Sequence, residues 1–317
     1  MIKASVLFPF AESDAEAFRG IENVEVSYGW SEDAEVLLGQ PDAEQISRCK
    51  NLRLVQSTSA GVDGYVKIRD AFGENVTLTT VSGAFGSSIS ECVLGMVLSL
   101  MKNLQLFRDN QNACLWRDEG RQFSPVGQNL LVVGAGDIGT CVAKIFAPFG
   151  CHTTGVKRHA AAPSGDFERF ITLDGLDEAL PEADIIVCAL PRTESTDGLF
   201  DKRRLSLLKK SAILVNVGRG SLIDLDALTQ ALQEKRLFGA ALDVTNPEPL
   251  PKDHPLWKCP NVIITPHATG GSFGHLVSTE AKVVEICREN LIRYAQNRPL
   301  LNKVDFTTGY RSEKDRY

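Results

Sequence analysis

Three things are missing from this 317-residue sequence, and each removes a class of function. There is no Cys-x-x-Cys pair: the eight cysteines, at 49, 92, 114, 141, 151, 188, 259 and 287, are scattered, several inside apolar runs such as Ile185 to Leu190. That spread reads as reduced core thiols and offers no paired-cysteine metal site. There is no excess of positive charge: 34 Lys and Arg against 40 Asp and Glu leave a formal net charge of -6. Nucleic-acid binders present a basic face to phosphate, so nucleic acid is not an expected partner. Nor does any apolar run approach the roughly 20 residues that span a bilayer. The first residues pass from Met1 straight into the strand-like Lys3 to Phe8, unlike a signal peptide, so the expected setting is cytoplasmic and without a membrane partner. Internal repeats and low-complexity tracts are absent too, and only 309–317 is polar enough to be loose.

What is present is an ordinary globular composition, 43% apolar and 23% charged, in a chain long enough to favour two domains. Short apolar runs alternate with helix-like stretches, the rhythm of parallel sheets covered by helices. Four strands are expected first, Ala4 to Phe8, Glu35 to Gly39, Leu52 to Gln56 and Val76 to Thr80. Six more follow, Asn129 to Val133, Cys151 to Val156, Ile185 to Leu190, Ala212 to Val217, Ala240 to Val244 and Val262 to Thr265. Two long helices, Ser90 to Phe107 and about Val277 to Ala295, should carry the chain out and back. The expected fold is α/β, with two Rossmann-like or flavodoxin-like domains of doubly wound parallel sheet and a cleft between them. Residues 1–100 with 290–317 would form a discontinuous substrate domain, and 101–289 the dinucleotide-binding domain.

Chemistry enters at Gly134, Gly136 and Gly139, which follow an expected strand and open the amphipathic segment Thr140 to Phe149. In that context the first glycine permits a tight turn, the second admits a pyrophosphate, and the third lets helix and strand pack closely. Asp137 and Ile138 lie within the turn, at a helix start whose free N-H groups favour a phosphate. An NAD site usually has an acid at the end of the next strand, to bind the ribose 2'-hydroxyl. Here that strand ends in Lys157-Arg158. Two cations there suit a 2'-phosphate, so NADP(H) is the expected cofactor, with NAD(H) as the alternative. A solvated basic pair after a strand is the competing reading.

Farther along stand Arg219 in Asn-Val-Gly-Arg-Gly, Glu248 in Pro-Glu-Pro-Leu and His267 in Thr-Pro-His. They supply a cation for a substrate acid, a carboxylate and a proton donor that the carboxylate can tune. Taken singly, each is more often a solvated surface or turn residue.

The order Gly134 to Gly139, Leu190-Pro191, Asn216-Val217-Gly218-Arg219-Gly220, Asp243-Val244, Pro247-Glu248-Pro249-Leu250 and Thr265-Pro266-His267 resembles the D-isomer-specific 2-hydroxyacid dehydrogenases over nearly the whole chain. The resemblance implies that Arg219 holds a 2-oxoacid through its carboxylate and carbonyl, that His267 is the acid/base and that Glu248 hydrogen-bonds it. It implies cofactor contacts from Leu190 and Pro191, from Gly270 after the histidine, and from Asp243 to the nicotinamide carboxamide, although a strand-end aspartate can equally cap a loop. Ser59-Ala60-Gly61-Val62-Asp63 resembles the loop whose backbone N-H groups receive the substrate carboxylate, with Ala60 and Gly61 suited to close approach. Glu91 resembles a structural residue at the interdomain helix start. Arg108 to Phe123 resembles the family's dimerisation arm, so a homodimer is expected; Trp116 within it could line the pocket, make a dimer contact or pack in the interior. Glutamate at 248 argues against formate dehydrogenases, which resemble this family but use glutamine.

The chain departs from the common pattern at Met101-Lys102-Asn103, where an arginine is frequent, and at Ala268 to Gly271. That puts substrate choice in doubt. The expected function is reduction of a small 2-oxoacid, of the glyoxylate or hydroxypyruvate kind, to the D-2-hydroxyacid. A bulkier 2-oxoacid or D-3-phosphoglycerate dehydrogenase is the enzymatic alternative, and a dinucleotide-sensing co-repressor the non-enzymatic one.

Overall fold

The computed structural model describes residues 1–8, 16–271, 276–307 and 310–311. Apart from 310–311, the tail expected to be loose lies outside the described residues. The chain divides into two compact units, Met1–Phe85 with Gly271–Tyr317, and Gly86–Gly270. These boundaries fall at 85/86 and 270/271, not near 100 and 290. Each long helix consequently sits whole within one unit.

The first unit is built on a parallel sheet of β1 (Ile2–Val6), β2 (Val24–Tyr28), β3 (Val36–Gly39), β4 (Leu54–Ser57) and β5 (Thr77–Thr79), in the order β2-β1-β3-β4-β5. That is the flavodoxin-like doubly wound order. β3 and β4 are buried throughout, which is why their sequences read as continuous apolar runs. β2 escapes the sequence reading because it is an edge strand, with Glu25 and Tyr28 exposed and little apolar signal. Helix Val277–Ala295 buries Val283, Val284, Cys287 and Leu291 in the cluster that holds Val6, Val36, Leu38 and Leu54. The spacing of three and then four from Val284 through Cys287 to Leu291 is the stripe expected of a helix laid on a sheet.

The second unit is a seven-stranded parallel sheet. Its strands are β6 (Asn129–Val133), β7 (His152–Val156), β8 (Arg169–Ile171), β9 (Ile185–Cys188), β10 (Ile213–Asn216), β11 (Gly239–Leu242) and β12 (Val262–Ile264). Their order is β12-β11-β10-β9-β6-β7-β8. β7 and β8 lie on one side of β6 and β9 to β12 on the other, so the winding reverses at β6/β9, where open α/β sheets bind ligands beyond the strand ends. β8, a three-residue edge strand, was too short to be legible in sequence.

The expected single helix over 90–107 is two, Gly86–Met101 and Leu104–Asn112, bent by 70°. Asn103 makes the break: it adopts the left-handed conformation at φ 57°, which asparagine tolerates better than most residues. Its Nδ2 donates to the carbonyls of Glu119 and Arg121, so the bend is fastened to the following loop. Among the described residues, no single helix is long and apolar enough to cross a membrane. Five of the eight free thiols are buried, but Cys114 is exposed and is no core residue. Trp116 is also fully exposed, which removes its interior packing role within the chain.

Asn290, on helix Val277–Ala295, is wholly buried. Its Nδ2 donates to Gln56 Oε1 at 2.6 Å and to the Leu301 carbonyl at 3.0 Å, and its Oδ1 accepts from Leu301 N-H at 2.7 Å. Asn290→Leu would strand these partners away from water. It should lower unfolding free energy by about 2 kcal/mol or more in urea denaturation, and a loss under about 0.5 kcal/mol would contradict this account.

Candidate active site

The sequence motifs converge at the carboxyl ends of the second unit's strands, and the glycines are what allow it. At Gly134, φ is 111° and an added Cβ would lie 2.8 Å from the Ala189 carbonyl oxygen just past β9. At Gly139 it would lie 2.2 Å from the Gly134 carbonyl oxygen, so the helix Asp137–Phe146 starts hard against its own turn. At Gly136, the N-cap of that helix, nothing lies within 4 Å of such a Cβ. The turn is therefore closed on the protein side and open in front of the helix N-terminus. That is the shape a dinucleotide diphosphate requires, held by backbone N-H groups that Asp137 and Ile138 begin.

Next along the sheet, Leu190 and Pro191 follow β9 and are half-buried. The Arg219 turn presses on them, since a Cβ at Gly218 would stand 2.4 Å from the Leu190 carbonyl oxygen. A Cβ at Gly220 would stand 2.0 Å from Thr245, in the chain that leaves β11 for Glu248. Asn216 closes the turn from inside: its Oδ1 accepts from Gly218 N-H at 3.0 Å and its Nδ2 donates to the Arg219 carbonyl at 2.9 Å. Arg219 itself is half-buried and extended, with one guanidinium N-H donating to the Gly218 carbonyl at 2.8 Å.

His267 and Glu248, 19 residues apart, meet at 2.7 Å between Nδ1 and Oε1. A carboxylate accepts, so Nδ1 carries the donated hydrogen and Nε2 is left for another partner. Both side chains remain about half exposed, 50% and 42%, which keeps the ring accessible to a substrate.

The histidine's left-handed backbone, φ 54°, is imposed by Asp243. Asp243 is only 3% exposed. Its carbonyl accepts from His267 N-H at 2.8 Å. Its Oδ1 accepts from Thr265 Oγ1 at 2.6 Å and Ala268 N-H at 2.9 Å, and its Oδ2 accepts from Thr269 Oγ1 at 2.6 Å. Of the two roles open to this residue in sequence, holding the loop is the one its hydrogen bonds serve. Thr265, Thr269 and Asn216 were not singled out from sequence. Their signal was faint, a hydroxyl or amide inside motifs already noted for other residues. Gly270, half-buried, closes the loop.

Residues 94–269 match the family model described as D-isomer specific 2-hydroxyacid dehydrogenase, NAD binding domain. The chain belongs to the D-isomer specific 2-hydroxyacid dehydrogenase family.

As a member it is an NAD(P)-dependent oxidoreductase. A crystal structure of a D-isomer specific 2-hydroxyacid dehydrogenase family protein from Aeromonas salmonicida is 33% identical and superposes with a TM-score of 0.83, covering 96% of this chain and 99% of that one. Formate dehydrogenase of Arabidopsis thaliana is 33% identical over 250 residues, 75% of this chain and 64% of that protein. Glyoxylate reductase of Thermofilum pendens is 29% identical over 267 residues, 81% of this chain and 76% of that one.

Two further groups expected from the sequence lie at strand ends, one in each unit. Lys157 follows β7 and is half-buried, with its ammonium 3.7 Å from the centroid of the Phe170 ring, a cation-π contact that fixes the side chain. Arg158 beside it is exposed. In the first unit, Ala60 is exposed and Gly61 half-buried in the turn after β4, where Ser59 Oγ donates to the Gly61 carbonyl at 2.7 Å. Glu91 is an exposed residue of helix Gly86–Met101.

The close approaches make opposite demands on two glycines. Gly220→Ala should cost about 3 kcal/mol or more, because backbone cannot yield to a Cβ at that distance. Gly136→Ala should stay within about 1 kcal/mol of the parent. Thermal or urea unfolding of both variants checks this, and equal losses would refute it.

Proposed function

We propose that this enzyme is a cytoplasmic NADPH-linked reductase of a small 2-oxoacid, glyoxylate or hydroxypyruvate in kind, giving the D-2-hydroxyacid. The observation that carries the reading is the 2.7 Å contact between His267 Nδ1 and Glu248 Oε1. Reduction of a carbonyl needs a proton at oxygen, and a carboxylate held at Nδ1 orients the imidazole so that Nε2 is the atom that delivers it. Oxidation of formate needs no such donor, so glutamate at 248 favours a 2-oxoacid over formate. Arg219 offers the substrate carboxylate a planar pair of donors. Bound reduced nicotinamide supplies the hydride. Ala60 and Gly61 are the candidates in the first unit for backbone contacts to the acid.

Lys157 and Arg158 support the choice of NADPH, because two cations at the end of β7 complement a 2'-phosphate. The open face at Gly136 supports a diphosphate held at the helix N-terminus. Buried free thiols fit a reducing compartment. A homodimer built through 108–123 accounts for the exposure of Leu115 and Trp116.

Following near-ultraviolet absorbance of NADPH and NADH with glyoxylate, hydroxypyruvate, pyruvate and phenylpyruvate tests the reading. NADPH should be consumed faster than NADH, and fastest with glyoxylate or hydroxypyruvate; cofactor binding without turnover of any acid would overturn the substrate class. His267→Ala should cut turnover about a hundredfold or more. Neutralising Lys157 and Arg158 together should raise the KM for NADPH and leave that for NADH unchanged. An unaltered ratio would remove these residues from cofactor choice.

A further inference from the structure

Gly155 stands inside β7, where a glycine weakens a strand and often marks the close approach of a neighbour. Its register partner on β8 is Phe170. Residues paired in this way face the same side of a sheet. A Cβ at 155 would stand 2.7 Å from two carbons of the Phe170 ring and 2.9 Å from the Ala135 Cβ. The ring therefore leans across β7 into the space that glycine leaves, and Ala135, between Gly134 and Gly136 of the cofactor turn, closes that space from the other side. Phe167, almost fully buried, backs the ring with centroids 4.9 Å apart.

Lys157 lies two residues beyond Gly155. Its N-H donates to the Ile171 carbonyl at 2.9 Å, so the ladder continues past the strand and the alternation of faces continues with it. That puts the lysine side chain on the face of Gly155, diagonal to Phe170 and within reach of its ring. The ammonium lies 3.7 Å from the ring centroid, and among the described residues no carboxylate pairs with it. A ring face holds a cation without neutralising it, so N-H donors remain for an anion. A lysine already held on a ring also loses less rotamer freedom on gripping a phosphate than one free in solvent.

We propose that Phe170 sets the cofactor preference: by holding the Lys157 ammonium at the end of β7, it favours a dinucleotide that carries a 2'-phosphate. The inference rests on the reading of Lys157 and Arg158 as partners of that phosphate. Phe170 acts through Lys157 and is a positioning residue, and glycine at 155 is the condition that lets the ring reach the lysine.

Isothermal titration calorimetry of the full chain with adenosine 2',5'-bisphosphate and with 5'-AMP separates the 2'-phosphate from the rest of the nucleotide. In Phe170→Leu the Kd of the bisphosphate should rise about threefold or more, the scale of one cation-π contact. The Kd of 5'-AMP should stay parental, which also shows that the site is folded. Phe170→Tyr keeps the ring face and should match the parent with both ligands. In a Lys157→Met background, Phe170→Leu should add nothing, because the ring then has no ammonium to hold. If Lys157→Met weakens the bisphosphate and Phe170→Leu does not, the proposal falls and the role of Lys157 stands. Equal weakening of both nucleotides by Phe170→Leu, or a further loss in the Lys157→Met background, would reduce the ring to a packing residue. No effect of Lys157→Met on the bisphosphate would remove the 2'-phosphate reading itself, and the proposal with it.

Discussion

Burying a carboxylate is costly unless donors surround it, and Asp243 is surrounded on every side. The residue directly follows β11, and what it collects is the loop that leaves β12, with Thr265 on one side of His267 and Thr269 on the other. Its backbone carbonyl takes the histidine's own N-H. The position and the left-handed backbone of His267 therefore depend on a neighbouring strand, and the imidazole meets Glu248 because their loops leave the adjacent strands β12 and β11 at the same edge of the sheet.

The same dependence runs across the sheet. Gly134 lies against Ala189, Gly218 against Leu190 and Gly220 against Thr245, so each loop leaving a strand is shaped by backbone of the next. These contacts exclude side chains altogether, which explains why the motif around Arg219 carries glycine on both flanks. A parallel sheet brings all its carboxyl ends to one edge, and the reversal of winding at β6/β9 opens room there.

Fold class was legible because buried parallel strands are apolar on both faces and helices repeat every three to four residues. The edge strands β2 and β8 were not, since one half-solvated strand and one of three residues carry too little apolar signal. The helix break at Asn103 was hidden as well: nothing local forbids a continuous helix through Lys102, and the carbonyls of Glu119 and Arg121 that hold the bend lie well beyond it in sequence.

By itself the sequence determined the family, the glycine turn and the residue types of the trio, because these need specific side chains, or none, at specific spacings. Tertiary structure alone decided that His267 and Glu248 touch, that Asp243 spends its hydrogen bonds on the histidine's loop, and that Lys157 rests on Phe170. Each of those is a contact between strands or loops far apart along the chain, and spacing in sequence carries no record of which strand ends become neighbours.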